Sequence, residues 1–204
     1  MMPRPRSAPL TVCAALLVCL PIAHAKPPPR CPSEMAVVTI GARTVCIDRF
    51  EASLEGKKAV ARKGARPAVA SQLEARAACA AAGKRLCTVA EWTAACRGPE
   101  AKRKFPYGDR YVARRCNDAA RAHGKPLPSG TLSECRTPDG IYDLSGNLWE
   151  WLADTPPDGE TARLVGGSFA NPDDDDLLAC IPEDPLGQPV GSKNETLGFR
   201  CCRD

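Results

Sequence analysis

The sequence predicts an α+β domain with small helices and a high proportion of loop. Glycine and proline account for 36 of 204 residues, while aromatic side chains make up only 5%. That composition has too many chain breakers for a helical bundle. Two segments carry complete helix-start signals, and several short runs rich in β-branched residues are bounded by turn formers.

Lys26 to Arg30 is a proline-rich lead, extended and exposed. Met35 to Ile40 and Thr44 to Asp48 flank Gly41 and read as a β-hairpin. Leu54 to Arg66, basic and interrupted by glycine and lysine, reads as loop. Ser71 to Ala82 is the clearest helix: Ser71 caps it, Glu74 completes a capping box, and Gly83 stops it. Thr88 to Cys96 repeats the pattern, with Thr88 as cap, Glu91 three residues on, and Gly98 past the end. Beyond Pro99 the chain reads mostly as loop, with strands expected at Leu164 to Phe169 and Leu197 to Cys202. Pro156 to Gly159 is a turn, and Asp173 to Asp176 is an acidic run.

Lysine and arginine total 28 against 24 acidic residues, a net charge of +4. No long basic run accompanies it, which argues against a nucleic-acid partner. Lys102-Arg103-Lys104 and Arg114-Arg115 read as solvated faces. Residues 1–25 read as a signal peptide: Arg4 and Arg6, an apolar stretch from Leu10 to Leu20, then Ala23-His24-Ala25 as a cleavage pattern. The apolar stretch is too short to span a bilayer comfortably, so an uncleaved anchor or a lipid-modified Cys19 is the weaker reading. The division is therefore 1–25 signal, 26–35 lead and 36–204 domain, with no stable membrane insertion after cleavage. The expected location is secreted, periplasmic or cell-envelope. Of 12 cysteines, Cys13 and Cys19 leave with the signal. The remaining even set in an oxidising compartment predicts five disulfides. His123 is then the sole histidine, which excludes multi-histidine metal sites.

Five segments, in order, resemble the formylglycine-generating enzyme (sulfatase-modifying factor) family. They are Ala82 to Trp92 (AGKRLCTVAEW), Phe105 to Asp109, Ile141 to Trp151 (IYDLSGNLWEW), Val165 to Phe169 (VGGSF) and Leu197 to Cys201 (LGFRC). Each is weak alone, but together they span the chain from about residue 36 to its end. The resemblance implies a C-type-lectin-like fold. Trp92, Trp149 and Trp151 then supply most of the large aromatic packing of a small core. Gly166-Gly167 allows a close backbone approach, and Glu91 with Arg200 is expected as a buried pair.

The resemblance also implies disulfides Cys79–Cys201 and Cys96–Cys180. Cys31, Cys46, Cys87, Cys116, Cys135 and Cys202 allow fifteen pairings. Local staples Cys31–Cys46 and Cys116–Cys135, which leave Cys87 with Cys202, are favoured among these.

Family oxidases convert a protein cysteine to formylglycine with O2 and copper, held by two cysteines five residues apart after the GGS segment. Two soft thiolates suit Cu(I). The corresponding positions here are Asn171 and Asp176, so copper is not expected and no catalytic residue is assigned. An iron-binding branch of the family needs three histidines, which this chain lacks. Ser168, Asn171 and Asp176 become candidates for a ligand pocket, against the plainer reading of a solvated acidic loop.

Calcium is the better cofactor expectation. It takes six to eight oxygen ligands, and Asp143, Gly146, Leu148 and Glu150 match a family calcium site. The alternative is a turn cap at Asp143 and an ion pair at Glu150. Asn117 and the Asp118 carbonyl match part of a second site.

The function expected is an exported, calcium-stabilised, non-catalytic binding module with an unidentified protein or small ligand as partner. An oxidase of protein cysteines with a displaced site, or a structural envelope component, are the alternatives.

Overall fold

The computed structural model describes residues 31–155, 159–172, 176–180 and 186–204. The signal and residues 26–30 of the lead, Pro156 to Asp158 of the expected turn, and Asp173 to Asp175 of the acidic run lie outside the described residues.

Strands β1 (Met35–Ile40) and β2 (Arg43–Asp48) form the antiparallel hairpin about Gly41. The segment read as loop holds a second hairpin, β3 (Ala52–Glu55) with β4 (Lys58–Ala61). The glycine read there as a break is its turn: Gly56 has φ of 61°, a conformation that suits glycine. The inward residues Ala52, Ala59 and Ala61 are buried but small, so they give a weak alternating signal.

Helix α1 (Gln72–Ala81) starts at Ser71 and helix α2 (Val89–Arg97) at Thr88, each with both hydrogen bonds of a capping box. Between them lies the two-residue strand β5 (Arg85–Leu86). A single 3-10 turn covers Ala119–Arg121. The later strands are β6 (Trp149–Trp151), β7 (Thr161–Val165), β8 (Leu186–Pro189), β9 (Leu197–Gly198) and β10 (Cys201–Arg203).

Two expected strand bounds are corrected. β7 ends at Val165 because Gly166 and Gly167 both turn to positive φ, 88° and 71°. The run from Leu197 is two strands in different sheets, broken at Phe199 and Arg200. One sheet runs β1-β2-β10-β5 and another β8-β7-β6-β9, with β3-β4 as a separate ribbon.

Trp92 lies in one buried cluster with Val45, Ile47, Leu144 and Leu152, and Trp149 and Trp151 in a second with Leu86, Leu164 and Phe199. The Trp151 indole donates to the Ala70 carbonyl at 2.8 Å, so its polar edge is satisfied. The disulfides are Cys31–Cys46, Cys79–Cys201, Cys87–Cys202, Cys96–Cys180 and Cys116–Cys135. Cys79 and Cys87 anchor α1 and the start of α2 to β10, at separations of 122 and 115 residues. Loops of that size give each bridge on the order of 4–5 kcal/mol in the chain-entropy picture. The short termini of β5 and β10 are thereby held where few backbone hydrogen bonds could hold them.

Candidate functional site

The segment Asp143 to Glu150 is a bent run in which Asp143, Gly146 and Asn147 all have positive φ: 57°, 73° and 64°. Asp and Asn tolerate this region better than other side chains. Gly146 is required by space as well, since a Cβ there would stand 2.4 Å from the Asn117 carbonyl oxygen. Its N–H donates to Gly166 O at 2.7 Å, and Asn147 N–H donates to Asn117 O at 2.7 Å. Two of the recognised segments, 141–151 and 165–169, thus meet the chain at Asn117 in one backbone crossing.

The side chain of Asn147 is the hub. Its oxygen accepts from Asn117 Nδ2 at 2.9 Å and from Leu127 N at 2.8 Å. Its amide donates to Glu51 Oε2 and to Leu127 O. Glu51 also accepts from Ser129 Oγ and from the Leu148 N–H, both at 3.1 Å. Glu51, Ser129 and Asn147 were not expected as site residues. Asn147 lies inside a recognised segment, but nothing local marks Glu51.

Glu150 faces Arg200. Its carboxylate accepts from Arg200 Nε at 2.9 and 2.7 Å, from Nη2 at 2.5 Å, and from the Trp92 indole at 2.7 Å. The guanidinium also donates to Asp48 O and Tyr142 O. This corrects the expected Glu91–Arg200 pair. Glu91 instead takes Arg85 in a two-point contact at 2.7 and 2.8 Å, with Arg43 at 3.1 Å.

Three buried carboxyls, Glu51, Asp143 and Glu150, therefore share one buried guanidinium. Burial, with Asp143 and Glu150 nearby, drives the Glu51 carboxyl well above the usual carboxylate range. Burial pushes Asp143 up to about 7, against the Gly130 N–H that donates to its Oδ2. Asn117 Oδ1 is the one buried side-chain nitrogen or oxygen without a hydrogen-bond partner among the described residues. Crowded buried carboxyls are relieved by protons or by a hard cation, and an orphaned oxygen also suits such a cation.

The six expected calcium positions are not equivalent. Asn117, Gly146 and the Asn147 hub are in contact, so the two expected sites adjoin. Glu150 is engaged by Arg200. Asp118 caps the 3-10 turn, accepts from Tyr111 Oη at 2.8 Å, and its carbonyl accepts from Arg121 N. Among the described residues no three His, Cys, Asp or Glu side chains form a metal-binding group. The donor set fits calcium through Asp143 and neutral oxygens better than through a carboxylate cage.

Of the pocket candidates, Ser168 and Asn171 bond each other: Asn171 Oδ1 accepts from Ser168 N and Oγ, both at 2.8 Å. Asp176 stands 3.7 Å from Lys104 Nζ. Neither Asn171 nor Asp176 offers the soft sulfur that Cu(I) favours, and all ten cysteines of the described residues are in disulfides. The residues present do not fit the family's copper centre.

These features define the class: a loop-rich, disulfide-stapled α+β domain of the formylglycine-generating-enzyme-like fold. The "Sulfatase-modifying factor enzyme 1-like domain" matches residues 36–204, and the chain belongs to that family. The "Inactive C-alpha-formylglycine-generating enzyme 2" of Mus musculus is 31% identical over 140 residues, covering 63% of this chain and 46% of the relative. The "Formylglycine-generating enzyme" of Streptomyces coelicolor is 30% identical over 150 residues, covering 60% and 48%. The chain thus spans about half the length of these curated relatives. The solved structure of PvdO from Pseudomonas aeruginosa shares the fold at TM-score 0.60 and 17% identity, over 80% of this chain and 81% of that one. No helix of the described residues is long and apolar enough to cross a membrane.

Proposed function

We propose that this chain is an exported, non-catalytic binding module of the sulfatase-modifying factor family, stabilised by calcium at the Asp143–Asn147 bend. The observation that carries the non-catalytic reading is the residue pair where the family's oxidases place copper thiolates. Asn171 there closes a turn with Ser168, and Asp176 faces Lys104. Similarity to a relative named inactive agrees with it. The disulfides suit an oxidising compartment. Calcium would be held by the Asp143 carboxylate with neutral oxygens, the Gly146 and Leu148 carbonyls, while Glu150 stays with Arg200. It would supply the positive charge that one guanidinium does not provide for three carboxyls.

The test is incubation of the folded chain with a cysteine-containing peptide, Cu(I) and O2, followed by an aldehyde-reactive label. The expected result is no label above a no-protein control. Formylglycine on the peptide would overturn the reading and return the chain to the oxidases.

A further inference from the structure

We infer that the arginine-lined groove over the Cys116–Cys135 disulfide binds an acidic polypeptide segment. The inference rests on the binding-module reading and gives that module its partner class. Two adjoining cavities, about 320 Å³ and about 220 Å³, share Arg115 and Glu134 and form one groove. Arg114, Arg115, Arg121 and Arg136 line it against Glu134 alone among acids. Among the described residues none of the four is ion-paired with a carboxylate, whereas Arg200, Arg85 and Lys84 all are. The sequence reads Arg114-Arg115 as a solvated face; the structure sets that pair into a walled groove with Arg121 and Arg136.

The groove is prepared in advance. Its walls, Val112 to Arg115 and Thr131 to Arg136, are stapled by the disulfide, with Cα atoms 4.9 Å apart. Arg121 donates Nε to Cys116 O and Nη2 to Arg114 O, while Arg114 donates Nε to Ala120 O. Each arginine braces the other's loop and keeps further N–H donors unspent. The Arg115 guanidinium lies 5.0 Å from the Tyr107 ring centre and that of Arg136 lies 5.9 Å from the Tyr142 ring. Aromatic support of this kind orients a guanidinium without neutralising it.

Guanidinium forks match carboxylates in two-point contacts. Apolar surface is interleaved with them: Val112 is 42% exposed, and Leu132 and Pro138 line the same walls. A peptide alternating acidic and apolar side chains uses both, whereas a sulfated glycan uses only the charge. The Tyr107 and Tyr142 faces are already covered by guanidiniums, which removes the stacking platforms a single-stranded nucleic acid needs.

The experiment is fluorescence anisotropy of a labelled peptide alternating Glu and Leu, titrated with the disulfide-intact protein. Binding is expected, weakening as salt rises from about 20 to about 150 mM. The surface double variant R115A/R136A should weaken it by about tenfold or more. R115K/R136K keeps the charge but loses the forks, and should fall between that variant and wild type. K57A/K58A, which removes the same charge elsewhere, should bind as wild type does. No binding, an equal loss in K57A/K58A, or tighter arginine-dependent binding of a heparin oligosaccharide would each overturn the assignment. The aldehyde assay runs on the same preparation, so failure of the groove and failure of the non-catalytic reading are read separately.

Discussion

Replacing Arg200 with Met tests the organisation of the buried acidic centre. The side chain is fully buried, makes three contacts of 2.5 to 2.9 Å to Glu150, and donates to two backbone carbonyls. Methionine keeps much of the volume and removes the charge and every donor. Glu150 is left buried beside Glu51 and Asp143 with no cation. Removing one partner of a buried pair costs about 3–5 kcal/mol, a large share of the roughly 5–15 kcal/mol that folds a typical domain. The double variant E150Q/R200M removes the stranded charge, while the two carbonyls that lose Arg200 lose it in both backgrounds and cancel. The cycle therefore isolates the pair, and a coupling of about 2 kcal/mol or more is expected. Urea unfolding at neutral pH in chelator measures it. Tryptophan fluorescence is a suitable signal because the Trp92 indole bonds Glu150 directly. If R200M lies within about 1 kcal/mol of wild type, or the single costs simply add, the centre is not organised by this pair.

Three further outcomes are expected. Burial acts to raise the Glu91 carboxyl, but the Arg85 hydrogen bonds and the Thr88 N–H outweigh it, so the folded group titrates below its ordinary value. Its stabilisation is therefore full above the ordinary carboxylate range and lost as pH falls through the folded value. E91Q keeps the helix-capping acceptor, so chemical unfolding should show a deficit at neutral pH that shrinks toward zero in acid. G146A should cost at least about 2 kcal/mol in urea unfolding, from a left-handed alanine and its clash with the Asn117 carbonyl. A tolerated alanine would refute the crossing described here. Calcium at a hundred times its Kd should add about 2.7 kcal/mol, a rise in Tm of roughly 5–10 °C, and D143N should abolish that rise. An unchanged Tm for wild type would remove calcium from the proposal.

Legibility in the sequence followed the range of the interaction. Both capping boxes join residues three apart, so Ser71 with Glu74 and Thr88 with Glu91 were readable as helix starts. The β3–β4 hairpin was not, because its buried face is alanine and its turn is glycine flanked by lysine and glutamate. The end of β7 depends on contacts far away in the chain. A Cβ on Gly166 would meet Leu144 O at 3.1 Å and the Trp92 ring at 3.2 Å, and one on Gly167 would meet Leu178 at 2.7 Å. In the site, Asp143 and Gly146 belong to a recognisable segment. Glu51 takes its partners from residues 78 to 97 positions away, a distance over which no local pattern operates. The Arg200 partner was misassigned for a related reason: Glu91 and Glu150 are both buried, and only the structure shows that Arg85 already satisfies Glu91.

A net charge of +4 suggests a surface with no electrostatic preference, and the fold shows why that inference fails. Charge here is sorted by location. Carboxyls outnumber cations in the buried centre, where Glu51, Asp143 and Glu150 share Arg200. Guanidiniums outnumber carboxyls in the groove, where four arginines face Glu134. Each imbalance is hidden in the sum because the other offsets it. They also have opposite energetic consequences. Buried excess charge is destabilising and creates a demand for a proton or a cation. Exposed excess charge costs little in water but raises the local concentration of an oppositely charged partner, an effect that salt screens. The centre and the groove should therefore respond to different ligands: the centre to a small hard cation, read as stability, and the groove to carboxylates, read as salt-dependent binding. A calcium-dependent change in Tm that survives R115A/R136A, and peptide binding that survives D143N, are what two separately built sites require.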